Sequence, residues 1–134
     1  MQLTYEDLRN CARLAKALED STERIQRLRS MLERTTTRAR ETPGAGAFAD
    51  RMAESIARLD EWETECIYRS DAYLEHAFLV DQEIERLEDD RHRRVLRLRY
   101  LDGLLWEEIA EKMHYSIQWC KHLHDTALEK LGVT

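Results

Sequence analysis

The stretch that decides the fold is WEEIAEKM-HYS-IQWCKHLHDTALEKL, residues 106–131. Its first eight residues place four apolar side chains on one helix face: Trp106, Ile109, Ala110 and Met113. His114 and Tyr115 then form a short turn, and Ser116 is a favourable N-cap for another helix. Two short helices joined by a turn of three to four residues are typical of a helix-turn-helix motif.

The residues on either side complete a small helical domain. Residues 91–101 are predicted to form a helix that buries Val95, Leu98 and Leu101, and Gly103 suits the left-handed position after its end. The final helix carries five core residues at helical spacing: Cys120, Leu123, Ala127, Leu128 and Leu131. We therefore predict a trihelical helix-turn-helix domain over residues 90–134.

Upstream of this domain, two long helices are predicted over residues 3–40 and 50–88. Core positions recur in alternating steps of three and four residues in both, as in a heptad repeat, although Glu63 and Ser70 weaken the second seam. A hinge at residues 41–49 separates them, where Pro43 and the following Gly44 and Gly46 disfavour a helix. The sequence predicts a coiled-coil arm over residues 1–89.

Charge indicates how the two arm helices pair. Residues 24–40 are mainly basic and residues 50–65 mainly acidic, so folding back at the hinge brings opposite charges together. We expect an antiparallel helical hairpin, paired either within one chain or between two chains. The arm is then either a charged spacer or a surface for dimerisation or partner docking, and the sequence leaves both open.

Composition agrees with an all-α, non-membrane protein. The chain has 134 residues, 36% of them charged, with four Gly and one Pro, and few stretches alternate as strands do. No apolar run approaches the roughly 20 residues of a membrane span, and the N-terminus does not resemble a signal peptide. Three widely spaced cysteines predict reduced thiols in a cytoplasmic protein.

The distribution of charge bears on the partner. The whole chain has a net charge of −6, but residues 91–134 hold eight Lys and Arg against six Asp and Glu, a net charge of +2. This is a small charge for a DNA-binding domain, because phosphate contacts supply most non-specific affinity. A second copy or another protein is therefore expected to contribute.

The helix that follows the turn carries the candidate DNA contacts. If it enters the major groove, its N-terminal and outward residues face the bases: Ser116, Ile117, Gln118, Trp119, Lys121 and His122. Gln can pair with adenine, Lys can bind guanine or phosphate, and Ile or Trp can contact a thymine methyl. A second interpretation of Trp119 is that it packs on the arm instead of contacting a base.

Catalytic and metal sites are not predicted. The sequence shows no nucleophile–base set, glycine-rich phosphate loop or carboxylate cluster, so we expect no enzyme and no cofactor. Cys120, His122 and His124 are close together, but His122 points away from the face that the other two share, and no second ligand pair exists. A buried thiol and a hydrogen-bonded His124 are the preferred interpretation.

Residues 97–110, with Tyr115-Ser116, Leu123-His124 and Ala127-Leu128, resemble the phage ArpU/RinA-type transcriptional regulators. The C-terminal module of that family is similar to region four of bacterial sigma factors. The resemblance extends to the acidic arm and its Thr-Pro-Gly hinge, and it implies a phage or prophage regulator of late gene transcription in the cytoplasm of a bacterial host.

The sequence departs from the family at two places. Leu105 stands where the family usually has the Thr or Ser of a capping box, so its pairing with Glu108 is lost. Gln118 and His122 stand where arginines are frequent. Phosphate contacts would then come from the first helix of the domain, from Arg93, Arg94 and Arg97.

The sequence leaves three functions open. The first is a DNA-binding transcription regulator that recognises a promoter element, with the arm setting dimer geometry or meeting RNA polymerase. The second is a protein-interaction module that binds a polymerase subunit or a phage partner without reading DNA. The third is a packaging protein that resembles a small terminase subunit and forms a ring.

Overall fold

The computed structural model describes residues 2–41 and 46–133. Within these ranges the chain is helical and has no strand, which confirms the predicted all-α class. The described residues form five α-helices: α1 (Tyr5–Glu41), α2 (Gly46–Glu85), α3 (Asp90–Leu96), α4 (Trp106–Met113) and α5 (Ile117–Leu131). A π-helical turn, Arg97–Leu101, directly continues α3.

The hinge predicted over residues 41–49 ends earlier than expected in the structure. Helix α2 begins at Gly46, so residues 46–49 are helical, and residues 42–45 lie outside the described residues. Ala47 and Ala49 are strong helix formers, and Phe48 between them is half-buried beside Leu28 and Leu32. Propensity and packing therefore extend the helix into this stretch.

The chain divides into two compact units. The larger unit combines the chain up to Ala17 with the chain from Asp71 onward, and the smaller unit is Leu18–Ser70. The core of the larger unit includes Leu3, Leu8 and Cys11, which precede or begin α1, together with side chains from α2 to α5. Residues assigned by sequence to the arm thus belong to this core, and the predicted domain boundary at residue 90 stays a prediction.

Three contacts hold the π-helical turn within the larger unit. The hydroxyl of Tyr73 donates a hydrogen bond to the carbonyl of Leu101 at 2.7 Å. Arg97 donates from Nε to Asp81 at 2.8 Å and from its terminal nitrogen to Glu85. Because Tyr73, Asp81 and Glu85 all lie on α2, that helix fixes the position of the π-helical turn, which precedes α4.

The smaller unit is a thin pair of antiparallel helical segments. Arg29 on α1 pairs with Glu63 on α2 at 2.5 Å, and the guanidinium of Arg24 lies 4.8 Å from the centre of the Trp62 ring. Nearer the start of α1, the hydroxyl of Thr22 lies 3.9 Å from the sulfur of Cys66, and Arg69 donates to the hydroxyl of Ser21. Across the pairs Ser21–Arg69, Thr22–Cys66 and Arg29–Glu63, positions rise along α1 as they fall along α2, so the expected antiparallel pairing of these segments is present.

Cys11, Cys66 and Cys120 are all free, and burial raises the pKa of the Cys11 thiol to about 11. In the described ranges, every helix is too short or too polar to cross a membrane.

Candidate nucleic-acid interface

The turn between α4 and α5 is formed by local backbone chemistry. His114 adopts a left-handed conformation with φ of +59°, and its amide bonds back to the carbonyl of Ala110. Ser116 then accepts the amide proton of Trp119 at 3.1 Å through its hydroxyl oxygen, which confirms the predicted N-cap of α5. The helix-turn-helix geometry follows from these two residues.

The start of α4 retains half of a capping box. The carboxylate of Glu108 accepts the amide proton of Leu105 at 3.2 Å. The aliphatic side chain of Leu105 has no acceptor for an amide of the first turn, so the reciprocal bond is missing. The prediction that Leu105 abolishes the box is therefore corrected, because the Glu108 half persists without it.

The candidate contact residues share the exposed surface at the N-terminal end of α5. Ile117 is 38% exposed and Trp119 is 41% exposed, and three further side chains are exposed beside them: Gln118, Lys121 and His122. The rings of Trp119 and His122 stack with centroids 5.1 Å apart and planes inclined by 27°. The structure thus brings the predicted residues of α5 together on one surface.

A buried histidine fixes the rotation of α5. His124 Nδ1 bonds to the carboxylate of Asp125 at 2.9 Å, and His124 Nε2 bonds to the hydroxyl of Tyr100 in the π-helical turn. The edge of the Trp106 ring packs on the same imidazole, with centroids 5.1 Å apart. Burial lowers the pKa of His124, and the bond to Asp125 acts in the opposite direction.

Trp106 joins the core to two cations. It is half-buried and packs against the core, as its predicted place on the buried face of α4 requires. The guanidinium of Arg99 lies 4.8 Å from the centre of its ring, and the ammonium of Lys121 lies 6.0 Å from it. Lys121 therefore stands at the border between this aromatic ring and the exposed surface of α5.

Two of the predicted phosphate-contacting arginines have internal partners. Arg93 donates to the carbonyl of Leu87 and pairs with Asp90. Arg94, which is exposed, donates to the carbonyl of Lys112 near the C-terminal end of α4 at 3.1 Å. That bond places a positive charge where the helix dipole favours it.

Arg97, the third predicted phosphate contact, is held by the carboxylates of Asp81 and Glu85. Arg91 is similarly held by Asp89 at 3.1 Å. A contact between Arg97 and a phosphate would require these ion pairs to open, so its assignment to DNA stays a prediction. Neither the sequence pattern nor the local charge count indicated that Arg97 binds carboxylates on distant residues.

His92 is a second buried imidazole that the sequence did not single out. It is 5% exposed, its Nδ1 has no hydrogen-bond partner, and its Nε2 lies 3.9 Å from a carboxylate oxygen of Asp89. Burial lowers its pKa, while Asp89 raises it to a smaller extent. A histidine among arginines in residues 91–94 gave no sign of burial.

The residues considered for metal binding lie on different sides of α5. Cys120 and His124 are buried, whereas His122 is exposed and stacked on Trp119. Among residues 2–41 and 46–133, no group of His, Cys, Asp and Glu side chains is arranged to hold a metal ion.

Comparison with known families agrees with this geometry. Residues 89–131 match the family model for sigma-70, region 4. The match covers α3 to α5 and every predicted contact residue, and sigma-70 region four is a DNA-binding helix-turn-helix module. No curated protein and no solved structure matches the chain. Residues 89–131 are therefore the region-four-like segment of the chain.

Proposed function

We propose that this protein is a DNA-binding transcription regulator whose α5 binds the major groove of double-stranded DNA through residues 116–122. The observation that carries this proposal is the exposed surface formed by Gln118, Trp119 and His122 at the N-terminal end of α5. This surface lies on the second helix of the helix-turn-helix, which is the recognition helix in motifs of this kind.

Electrostatics favours a regulator that does not act as a single isolated copy. Arg93, Arg94 and Arg97 all donate to groups within the chain, which leaves Lys121 as the cation on the contact surface. Few phosphate contacts give weak affinity with a shallow salt dependence. A homodimer, formed through the smaller unit, would double these contacts.

The biological setting follows from the resemblance to ArpU/RinA-type regulators. We propose a phage or prophage origin, a role at late promoters and a contact with host RNA polymerase. The match to sigma-70 region four supports the polymerase contact, because that module works at promoters together with the enzyme.

The test is selection of bound sequences from a random duplex pool at low salt, followed by titration of the enriched duplex against a scrambled one. We expect affinity about 10³-fold above that for the scrambled duplex, falling as salt rises. Lys121→Ala should weaken binding, whereas Lys130→Ala removes the same charge from the far end of α5 and should not. Equal losses in both variants would argue against binding through residues 116–122.

A protein-interaction module is the second candidate, and one observation favours it. Two apolar side chains that flank α4, Leu105 before it and Tyr115 after it, are 61% and 39% exposed. Such exposed groups are frequent where proteins dock. If no duplex is enriched and host RNA polymerase retains the protein, this function replaces the first. A ring-sized molar mass in solution would instead indicate a packaging protein like a small terminase subunit.

A further inference from the structure

We propose that the contact surface of α5 selects A·T base pairs, with Gln118 reading adenine and Trp119 and Ile117 contacting thymine methyl groups. This inference rests on the proposed function, since it names the class of DNA that the same surface binds. It follows from which side chains are exposed on α5, which are engaged elsewhere, and what each base presents in the major groove.

Groups that read guanine or cytosine are scarce on this surface. Helix α5 contains no arginine, which is the commonest specific partner of guanine. Its Lys121 lies 6.0 Å from the Trp106 ring and so sits toward α4, at the edge of the surface. Asp125, which could accept from cytosine, is bonded through one oxygen to His124.

Gln118 is placed to read adenine. It is exposed one turn before His122, and on a helical projection both lie roughly opposite the buried Cys120. The amide of Gln118 offers one donor group and one acceptor, which match the N7 acceptor and N6 donor of adenine.

Trp119 supplies a preorganised apolar group beside Gln118. Its ring stacks on His122, which limits its rotamers before DNA binds, yet 41% of the residue remains exposed. Ile117, in the first turn of the helix, is 38% exposed and adds a second apolar side chain. In the major groove the apolar feature is the C5 methyl group of thymine.

The test compares duplexes that differ only in methyl groups. The enriched duplex is prepared with thymine and with uracil, which keeps every hydrogen-bonding group and removes the C5 methyl. We expect A·T-rich enrichment and a loss of about four-fold in affinity for each contacted thymine replaced by uracil. In the Trp119→Ala variant, replacing thymine by uracil should reduce the affinity less, because the indole ring that contacts the methyl group is absent with either duplex.

Adenine reading has its own variant and control. Gln118→Ala should weaken binding by about five- to 150-fold and relax the preference for adenine at one position. Gln82→Ala removes an exposed amide from α2 and should leave binding unchanged. Enrichment of a G·C-rich site, or equal affinity for the thymine and uracil duplexes, overturns the inference while DNA binding stands. Absence of any enriched duplex overturns the proposed function itself.

Discussion

Gly103 lies so close to Ala12 that a Cβ atom on the glycine would stand 3.1 Å from the alanine carbonyl oxygen. Gly103 also has φ of +67°, which strains any residue with a side chain. We predict that Gly103→Ala lowers the free energy of unfolding by about 1–3 kcal/mol. Denaturant unfolding followed by circular dichroism measures the change.

Gly132 provides the matched control for this prediction. Its φ is +71°, but the nearest atom to an added Cβ is the flexible end of the Gln2 side chain, at 3.8 Å. Gly132→Ala should therefore show the cost of backbone strain without the contact with α1. An equal loss of stability in the two variants would mean that the approach of Gly103 to Ala12 contributes nothing.

Sequence reasoning predicted the features that depend on neighbours along the chain. The left-handed Gly103 and the Ser116 cap of α5 were predicted because turn and cap chemistry is local. The arginine partners were missed because Asp81 and Glu85 are more than ten residues from Arg97. The spacing of apolar and charged residues shows which face of a helix is buried, but it does not show which distant helix covers that face.

The same limit explains the core of the larger unit. Cys11 fits the steps of an arm seam, yet Cys11 and the neighbouring Leu8 are fully buried with side chains from α2 to α5. A heptad pattern fixes the spacing of apolar residues and leaves their partner open. The exposed residues of α5 were predicted well because they follow from the buried face of the same helix.

Leu105→Thr should stabilise the domain. A threonine at this N-cap would add the acceptor that Leu105 lacks, while Glu108 already accepts the amide of residue 105 at 3.2 Å. We expect the free energy of unfolding to rise by about 0.5–2 kcal/mol, measured by denaturant titration. Leu105→Ala removes the exposed apolar side chain without adding an acceptor and should give no such gain. A threonine variant no more stable than the alanine variant would rule out the capping explanation.

Stability should decrease as the solution is made acidic. His92 and His124 are buried, and burial lowers the pKa of each below the 6.5 of a free histidine. The unfolded chain then binds more protons than the folded one in this range, so stability is complete above about pH 6.5 and declines below it. Thermal unfolding between pH 7.5 and pH 5 should show a falling Tm.

Substitution identifies the source of this pH dependence. His124→Gln removes one buried titrating group, so its Tm should fall less steeply with acidification, even though the loss of the Tyr100 bond lowers Tm throughout. His122→Gln changes an exposed histidine on the same helix and should keep the slope of the unaltered protein. Parallel Tm profiles for the His124 and His122 variants would show that buried His124 is not responsible.

The smaller unit is predicted to pair with a second copy through one side of α2. Ile56 and Ile67 are 51% and 63% exposed and lie eleven residues, or about three turns, apart on the same side of the helix. Ile67 borders a groove between α1 and α2, and Thr22 and Gln26 line the α1 side of this groove. The groove is a place where an apolar side chain of a second copy can pack. Among the residues of the smaller unit whose burial is described, only Ser21 and Ile25 are buried, so a second copy would supply the apolar contact that a thin helix pair lacks.

Light scattering after size exclusion tests this pairing. The unaltered protein should have twice the 16.0 kDa mass of one chain. The double variant Ile56→Lys with Ile67→Lys should have the mass of one chain. Tyr68→Lys is the matched control, because Tyr68 is 71% exposed on the same helix but is rotated by about 100° from Ile67. A monomeric mass for the unaltered protein at tens of micromolar, or dissociation caused equally by Tyr68→Lys, would contradict an interface on the Ile56–Ile67 side. If the double variant is monomeric and also binds the enriched duplex less tightly, pairing through the smaller unit supplies the phosphate contacts that a single copy lacks.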